Sequence, residues 1–307
     1  MILTITLNPS IDIRYNLDNF VLGNVNRVLE YEKTAGGKGL NVSRVIKKLG
    51  VNVLATGLLG GKIGEDLKHK LDIIGIENDF EQIGGETRNC INVLHNNMST
   101  EILESGPTIT SDEWNNFKNK FLSLINKYKY ITASGSIPSG LSNESYSELI
   151  KIANNNAAKF FLDTSGNALK HSLNSKPYFI KPNLEELEKL TNKTLNNLDD
   201  IIYEAEKLHN NGVSIVAVTL GKDGSILISE QGILIAKIPT VKVLNTVGCG
   251  DSFVAGFASG IYKNMDIIDA FKLAISCSIS NALLEGTGNI DINIVNKLIN
   301  EIEIVQK

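Results

Sequence analysis

The chain has 307 residues, 42% of them hydrophobic, with 30 basic and 34 acidic side chains for a net charge of −4. At roughly 100–200 residues per domain that is one large domain or two small ones, and the mildly acidic balance, without a basic stripe, argues against nucleic acid as a partner. No stretch approaches the ~18 apolar residues of a membrane span, so no membrane partner is expected.

Three widely spaced cysteines, Cys90, Cys249 and Cys277, read as reduced thiols of a cytoplasmic protein rather than a disulfide frame or a zinc site. The four histidines show no metal-ligand spacing.

Met1–Pro9 lacks a basic leader and a cleavage pattern and looks like a first strand, over 2–8, ended by Asn8-Pro9. Residues 13–33 have no helical period and contain the alternating run Val25–Tyr31, which predicts short strands outside the main sheet. Thr34–Asn41 opens a helix with apolar positions Leu40, Val42, Val45, Ile46 and Leu49, stopped by Gly50. A strand is expected over about 51–59, the glycine-rich Gly57–Gly64 next, and a helix over about 65–74.

Residues 87–105 read as a hairpin around a polar turn at Asn96-Asn97 that could join 13–33 in a small second sheet. Thr110-Ser111-Asp112-Glu113 is a capping box ahead of a helix. Strands and helices then alternate. Strands are expected at 130–135, 160–163, 178–183 and 215–220, with a hairpin at 226–229 and 233–238. Helices are expected at about 143–154, 184–191, 198–211, 251–262, 267–284 and 292–303. The unbroken apolar run Ile215–Leu220 marks a strand covered on both faces. This alternation predicts a doubly wound, mostly parallel α/β sheet.

Two glycine clusters stand at helix starts, Gly36-Gly37-Lys38-Gly39-Leu40-Asn41 and Gly248-Cys249-Gly250-Asp251. Unpaired N–H groups and the helix dipole attract anions at such places. A carboxylate there repels phosphate, so Asp251 needs a reason: it either caps its helix or removes a proton from an attacking hydroxyl. Neither a Gly-x-x-x-x-Gly-Lys-Ser/Thr loop nor a Gly-x-Gly-x-x-Gly after the first strand is present, which counts against P-loop enzymes and dinucleotide oxidoreductases. Phosphoryl transfer to a sugar suits the two clusters together.

Those two motifs, with Lys181-Pro182-Asn183-Leu184-Glu185-Glu186 and Thr219-Leu220-Gly221-Lys222-Asp223-Gly224 between them, resemble the signatures of PfkB-type sugar kinases of the ribokinase family. The resemblance covers essentially the whole chain. It implies an α/β, ribokinase-like three-layer fold over 1–307 as a single domain. A small β-sheet lid would come from about 13–33 and 87–105, and such lids often pair subunits into a homodimer. Leu7–Asp12, Thr34–Asn41, Gly85–Ile91 and Thr100–Glu104 look like the branch that phosphorylates tagatose 6-phosphate in lactose and galactose breakdown. The sister branch acts on fructose 1-phosphate, and other members act on fructose 6-phosphate. A non-catalytic phosphosugar or nucleotide sensor on the same fold is a rival of another class.

Carried over by position, the resemblance implies ATP and Mg²⁺ as cofactors and a phosphosugar as substrate. Asp12, Gly36, Gly37 and Asn41 would hold the sugar. Arg88, with Arg27 and Lys38, would bind its phosphate, the alternative for the two arginines being a solvated strand face. Gly248, Cys249 and Gly250 would offer N–H groups to the transferring phosphoryl, Asp251 would be the base, and Lys38 would neutralise the transferring group if it does not serve the sugar phosphate. Lys181, Asn183, Thr219, Gly221 and Gly224 would face ATP. Glu186 would place Mg²⁺ through water, although Asn183-x-x-Glu186 is also a capping box. Asn281 would approach the adenine or lie on a helix surface. Two positions depart from the family pattern: Asn245, where Asp is frequent, and Cys249, where Ala is frequent. A thiol at a helix N-terminus has a lowered pKa, which would make Cys249 oxidisable; the favoured alternative is a small residue filling an alanine- or serine-sized space.

Overall fold

The computed structural model describes residues 1–96 and 98–307; Asn97, half of the expected turn, lies outside the described residues. In chain order the elements are Ile2–Thr6 (β1), Ser10–Leu17 (β2), Glu30–Gly36 (β3), Lys38–Lys48 (α1), Val53–Gly60 (β4), Gly61–Ile73 (α2), Glu77–Asn78 (β5), Glu81–Ile83 (β6), Arg88–His95 (β7) and Met98–Leu103 (β8). There follow Ser111–Ile125 (α3), Tyr130–Ser134 (β9), Ser145–Asn155 (α4), Lys159–Asp163 (β10), Gly166–Ser172 (α5), Phe179–Ile180 (β11), Leu184–Thr191 (α6), Leu198–Asn210 (α7) and Ile215–Thr219 (β12). The last are Ser225–Ser229 (β13), Gly232–Lys237 (β14), Cys249–Tyr262 (α8), Ile267–Ala282 (α9), Ile292–Ile299 (α10) and Glu303–Gln306 (β15).

The main sheet has the order β15-β14-β13-β12-β11-β10-β9-β1-β4-β5, with β6 also pairing β4. From β12 to β5 the pairing is parallel, and β13, β14 and β15 continue it antiparallel. Successive strand residues serve opposite cores. Ile2, Phe161 and Ala217 pack with α1, α8, α9 and α10, while Leu3, Phe160 and Val216 pack with α3, α4 and α7. This is the three-layer α/β arrangement, built from strands apolar on both faces.

The small-residue run of α8 is buried from Asp251 to Gly260. Interior glycine costs a helix about 1 kcal/mol relative to alanine. Here it permits close packing: an added Cβ at Gly256 would lie 2.8 Å from the Ala274 Cα, and one at Gly260 2.8 Å from the Ala270 Cα. Contact with α9 outweighs propensity.

A separate four-stranded sheet has the order β3-β2-β7-β8. Its register sets Ser10 beside Arg88 and Asp12 beside Cys90 on β7, with Asp12 facing Thr34 on β3.

Four expectations need correction. Val25–Leu29 is not strand; it belongs to a loop in which Val25 is 80% and Leu29 90% exposed, so its alternation faces no core. Helix α2 begins at Gly61, because Glu86, distant in the chain, accepts from the Ile63 amide of its first turn at 2.7 Å. Helix α5, seven residues long, is too short to show a period and was missed. The helix expected over 292–303 ends at Ile299, and Glu303–Gln306 pairs with β14 instead; backbone pairing at an open edge defeats a marginal apolar period.

Candidate active site

The C-terminal ends of β1, β9, β10 and β12 and the stretch after β11 bring Thr6, Ser134, Asp163, Thr219 and Lys181 to one cleft of about 750 Å³. This is where open α/β sheets bind ligands, and the volume suits a small molecule. The N-terminal ends of α1 and α8 close one side, and β2 and β7 of the small sheet close another.

Gly248 caps the start of α8, and its φ of +85° suits glycine. The amides of Gly250 and Asp251 have no acceptor among the described residues, as expected in a first helical turn. An added Cβ at Gly250 would lie 3.1 Å from the Lys181 Nζ, so glycine leaves the lysine room against the start of α8. Asp251 does not cap the helix with its side chain, which removes the cap reading. Its carboxyl is 4% exposed and receives the Asn41 Nδ2–H at 2.7 Å. Burial raises its pKa to about 6, assisted by Asp163 and opposed by Lys38, Asn41 and Lys181. Burial wins, and the group remains a base at neutral pH.

Lys38, the first residue of α1, follows Gly37, which stands at φ +102°. Its pKa is pushed up to about 12, first by Asp163 and also by Asp251 and Glu186. Lys181 Nζ lies 3.4 Å from Asp163 Oδ1, both buried. Asn183 accepts from the Glu186 amide at 2.8 Å, and Glu186 Oε2 accepts from the Asn183 amide at 2.9 Å. The capping box is thus formed, and Glu186 also lines the cleft.

From the small sheet, Asp12 accepts from Ser10 Oγ at 2.6 Å, and burial raises its pKa. Arg88 donates from Nη1 to Glu104 O at 2.8 Å and from Nη2 to Asn8 O at 3.0 Å. Its Nε is buried without an acceptor among the described residues.

Of the anticipated residues, Asp12, Gly37, Lys38, Asn41, Arg88, Lys181, Asn183, Glu186, Thr219, Gly248, Gly250 and Asp251 meet at this cleft. Arg27, Gly36, Gly221, Gly224, Cys249 and Asn281 do not line it. Arg27 is exposed in the loop before β3. Gly36 abuts Asp12, where an added Cβ would lie 2.0 Å from the Asp12 Cγ. Gly224 is needed because a Cβ would lie 2.1 Å from Ala236 O. Asn281 is fully buried, not on a helix surface, and donates to Val247 O at 2.9 Å, bracing the α8 loop from behind. Burial raises the Cys249 pKa, so the expected lowering is wrong; desolvation outweighs the helix terminus. The Asn245 side chain accepts from the Val247 amide at 2.9 Å, closing a local turn.

Two residues were missed. Asp163 ends the apolar run Phe160-Phe161-Leu162, and an acid at the carboxyl end of a parallel strand is a legible signal. Arg44, six residues beyond Lys38 in α1, lines the cleft and contacts Asn41, and only the folded chain shows it.

Residues 5–293 match the pfkB family carbohydrate kinase model. The chain is 40% identical to a tagatose-6-phosphate kinase of Staphylococcus epidermidis over the full length of both. The crystal structure of phosphofructokinase-2 from Escherichia coli in complex with potassium superposes with a TM-score of 0.92 at 26% identity, covering 97% of this chain and 98% of that one. A tetrameric inhibited form of the same protein gives 0.91 at 26%, with the same coverage. No helix among the described residues is long and apolar enough to cross a membrane. With a full-length match and two glycine-led helix starts converging on one cleft, this chain belongs to the pfkB family of carbohydrate kinases and is a sugar kinase.

Proposed function

We propose that the chain transfers the γ-phosphoryl group of ATP to the C1 hydroxyl of D-tagatose 6-phosphate, giving tagatose 1,6-bisphosphate. The observation that carries this reading is the Asp251 carboxylate, buried beside the open amides of α8 in the cleft that Asp12 and Arg88 enter from the small sheet. The full-length identity with a tagatose-6-phosphate kinase supports the choice of sugar.

In this mechanism Asp12 and Gly37 hold sugar hydroxyls and Arg88 holds the existing phosphate. Asp251 accepts the C1 hydroxyl proton as the oxygen attacks phosphorus. The Gly250 and Asp251 amides and the α8 dipole stabilise the oxygens of the transferring group. Lys38 feels Asp163, Asp251 and Glu186, which favours a role beside the transferring group over one on the sugar phosphate. Lys181, Asn183 and Thr219 face the nucleotide. The small sheet excludes water, the competing acceptor.

Mg²⁺ keeps several waters and needs one or two carboxylates beside the phosphates. Among the described residues no cluster of three or more His, Cys, Asp or Glu forms a metal cage, but Glu186 and Asp163 line the cleft and fit that lighter demand. When bound, the ion would neutralise phosphate charge.

A coupled ADP-release assay tests the substrate. Tagatose 6-phosphate is expected to give the highest kcat/KM against fructose 6-phosphate and fructose 1-phosphate. The phosphofructokinase-2 neighbours favour a fructose phosphate as the second reading. A preference for either fructose ester overturns the sugar assignment, and no turnover with all three excludes these esters as the acceptor.

The small sheet also carries exposed apolar side chains. Met98 is 56% and Leu103 58% exposed on the edge strand β8, and Leu22 is 84% and Leu29 90% exposed in the loop joining β2 to β3. Large apolar side chains left exposed on the small sheet and its loop suit an interface, and they support a homodimer joined through the lid. Sedimentation should give a dimer for the parent and a monomer for Leu22→Asp/Leu29→Asp; a monomeric parent at micromolar concentration ends the idea.

A further inference from the structure

Asn41 was expected to hold sugar, yet both ends of its amide are engaged within the protein. Its Nδ2 donates to Asp251 Oδ2 at 2.7 Å, and its Oδ1 accepts from Arg44 Nη2. Arg44 lies three residues along α1, one helical turn from Asn41. Its Nη1 donates to Ala35 O at the end of β3, and Nη2 also donates to Thr287 O at 3.1 Å. The Thr287-Gly288 segment in turn backs the α8 loop: an added Cβ at Gly248 would lie 2.7 Å from the Gly288 amide nitrogen.

The chemistry of these groups admits one arrangement. A guanidinium has donors only, so the amide oxygen of Asn41 must face Arg44. The NH₂ group must then face the carboxylate. Without Arg44 the amide could turn over and present oxygen to Asp251, which repels the anion.

We infer that Arg44 is a positioning residue for proton transfer: its guanidinium holds the Asn41 amide in the orientation that donates to Asp251, while tying β3 and the 287–288 segment to the same point. The inference rests on Asp251 being the base. The charged and polar groups facing Asp251 are Lys38, Asn41 and Arg44 from α1, Asp163 from β10 and Lys181 after β11. Arg44 therefore has a second route to Asp251, its own charge acting through space, and the experiment must separate the two.

The test is the acid limb of kcat/KM against pH in Arg44→Met, Asn41→Ala and the double variant. Arg44→Met should lower kcat on the order of tenfold to a hundredfold, the scale of a misplaced reacting group. It should also move the midpoint of the acid limb up by about one pH unit, because the carboxylate loses a charge-assisted hydrogen bond. In the Asn41→Ala background, Arg44→Met should move the midpoint no further.

An equal shift in both backgrounds means that the charge acts directly and overturns the inference. So does a fall in kcat with an unmoved limb, which a merely structural residue would give. If Arg44→Met does not fold, Arg44→Lys carries the same cycle. One ammonium cannot hold Ala35 O, Asn41 Oδ1 and Thr287 O together, so a smaller shift that vanishes with Asn41→Ala is expected. Asp251→Asn run alongside keeps the two failures apart: if it retains the parent's acid limb, the base assignment has failed, not the role of Arg44.

Discussion

Asp251→Asn is expected to lower kcat by about 10²–10⁴-fold, the loss typical of a missing general base. The amide has nearly the shape of the carboxyl and keeps an oxygen for the Asn41 N–H, but it cannot accept a proton. A loss of tenfold or less removes Asp251 from that role.

The pH profile gives an independent reading. Burial and Asp163 raise the Asp251 pKa from 3.8 to about 6. The base form is therefore lost as pH falls through about 6. For the parent, kcat/KM should rise through that region and flatten above it, and Asp251→Asn should lack this limb. Stability should move the other way. A carboxyl whose folded pKa is raised destabilises the fold once pH exceeds the unfolded value, increasingly up to about 6 and by a constant amount above it. At pH 7.5 Asp251→Asn should thus melt no lower than the parent. A lower melting temperature would show that the carboxylate is a structural contact and not a poised base.

Arg88→Ala should raise KM for the phosphosugar by about 10- to 100-fold and leave KM for ATP nearly unchanged. Hydrogen bonds to charged groups contribute about 1.5–3 kcal/mol, and every 1.4 kcal/mol is tenfold. The guanidinium is set in place before any ligand arrives, by Asn8 O and Glu104 O, while its buried Nε has no acceptor among the described residues. Arg88→Lys keeps the charge and loses the fork, so an intermediate KM is expected. Equal changes in both KM values would mean that Arg88 supports the cleft as a whole. Thermal melting separates that outcome from unfolding, because Arg88 also ties the start of β7 to the segment following β8.

Much of this site is written locally. The two glycine-led helix starts at Gly37 and Gly248, the capping boxes at Thr110 and Asn183 and the acid at 251 are short-range patterns, with spacings set by helix geometry. The doubly covered sheet is equally local, since a strand apolar on both sides has one kind of place to go. Other features depend on residues distant in the chain. Val25–Leu29 alternates like a strand yet meets no partner, and Glu303–Gln306 became a strand because β14 offered an unpaired edge. Cys249 stands at a helix start, which lowers a thiol pKa, but the walls around it are what raise it. Asn41 and Asp251 are 210 residues apart, and Arg44 reaches Thr287 across 243. Residue type and spacing can name a carboxylate as a base; its protonation and its hydrogen-bond donor are set by which buried groups surround it, and those neighbours are assembled only when the strands and helices pack.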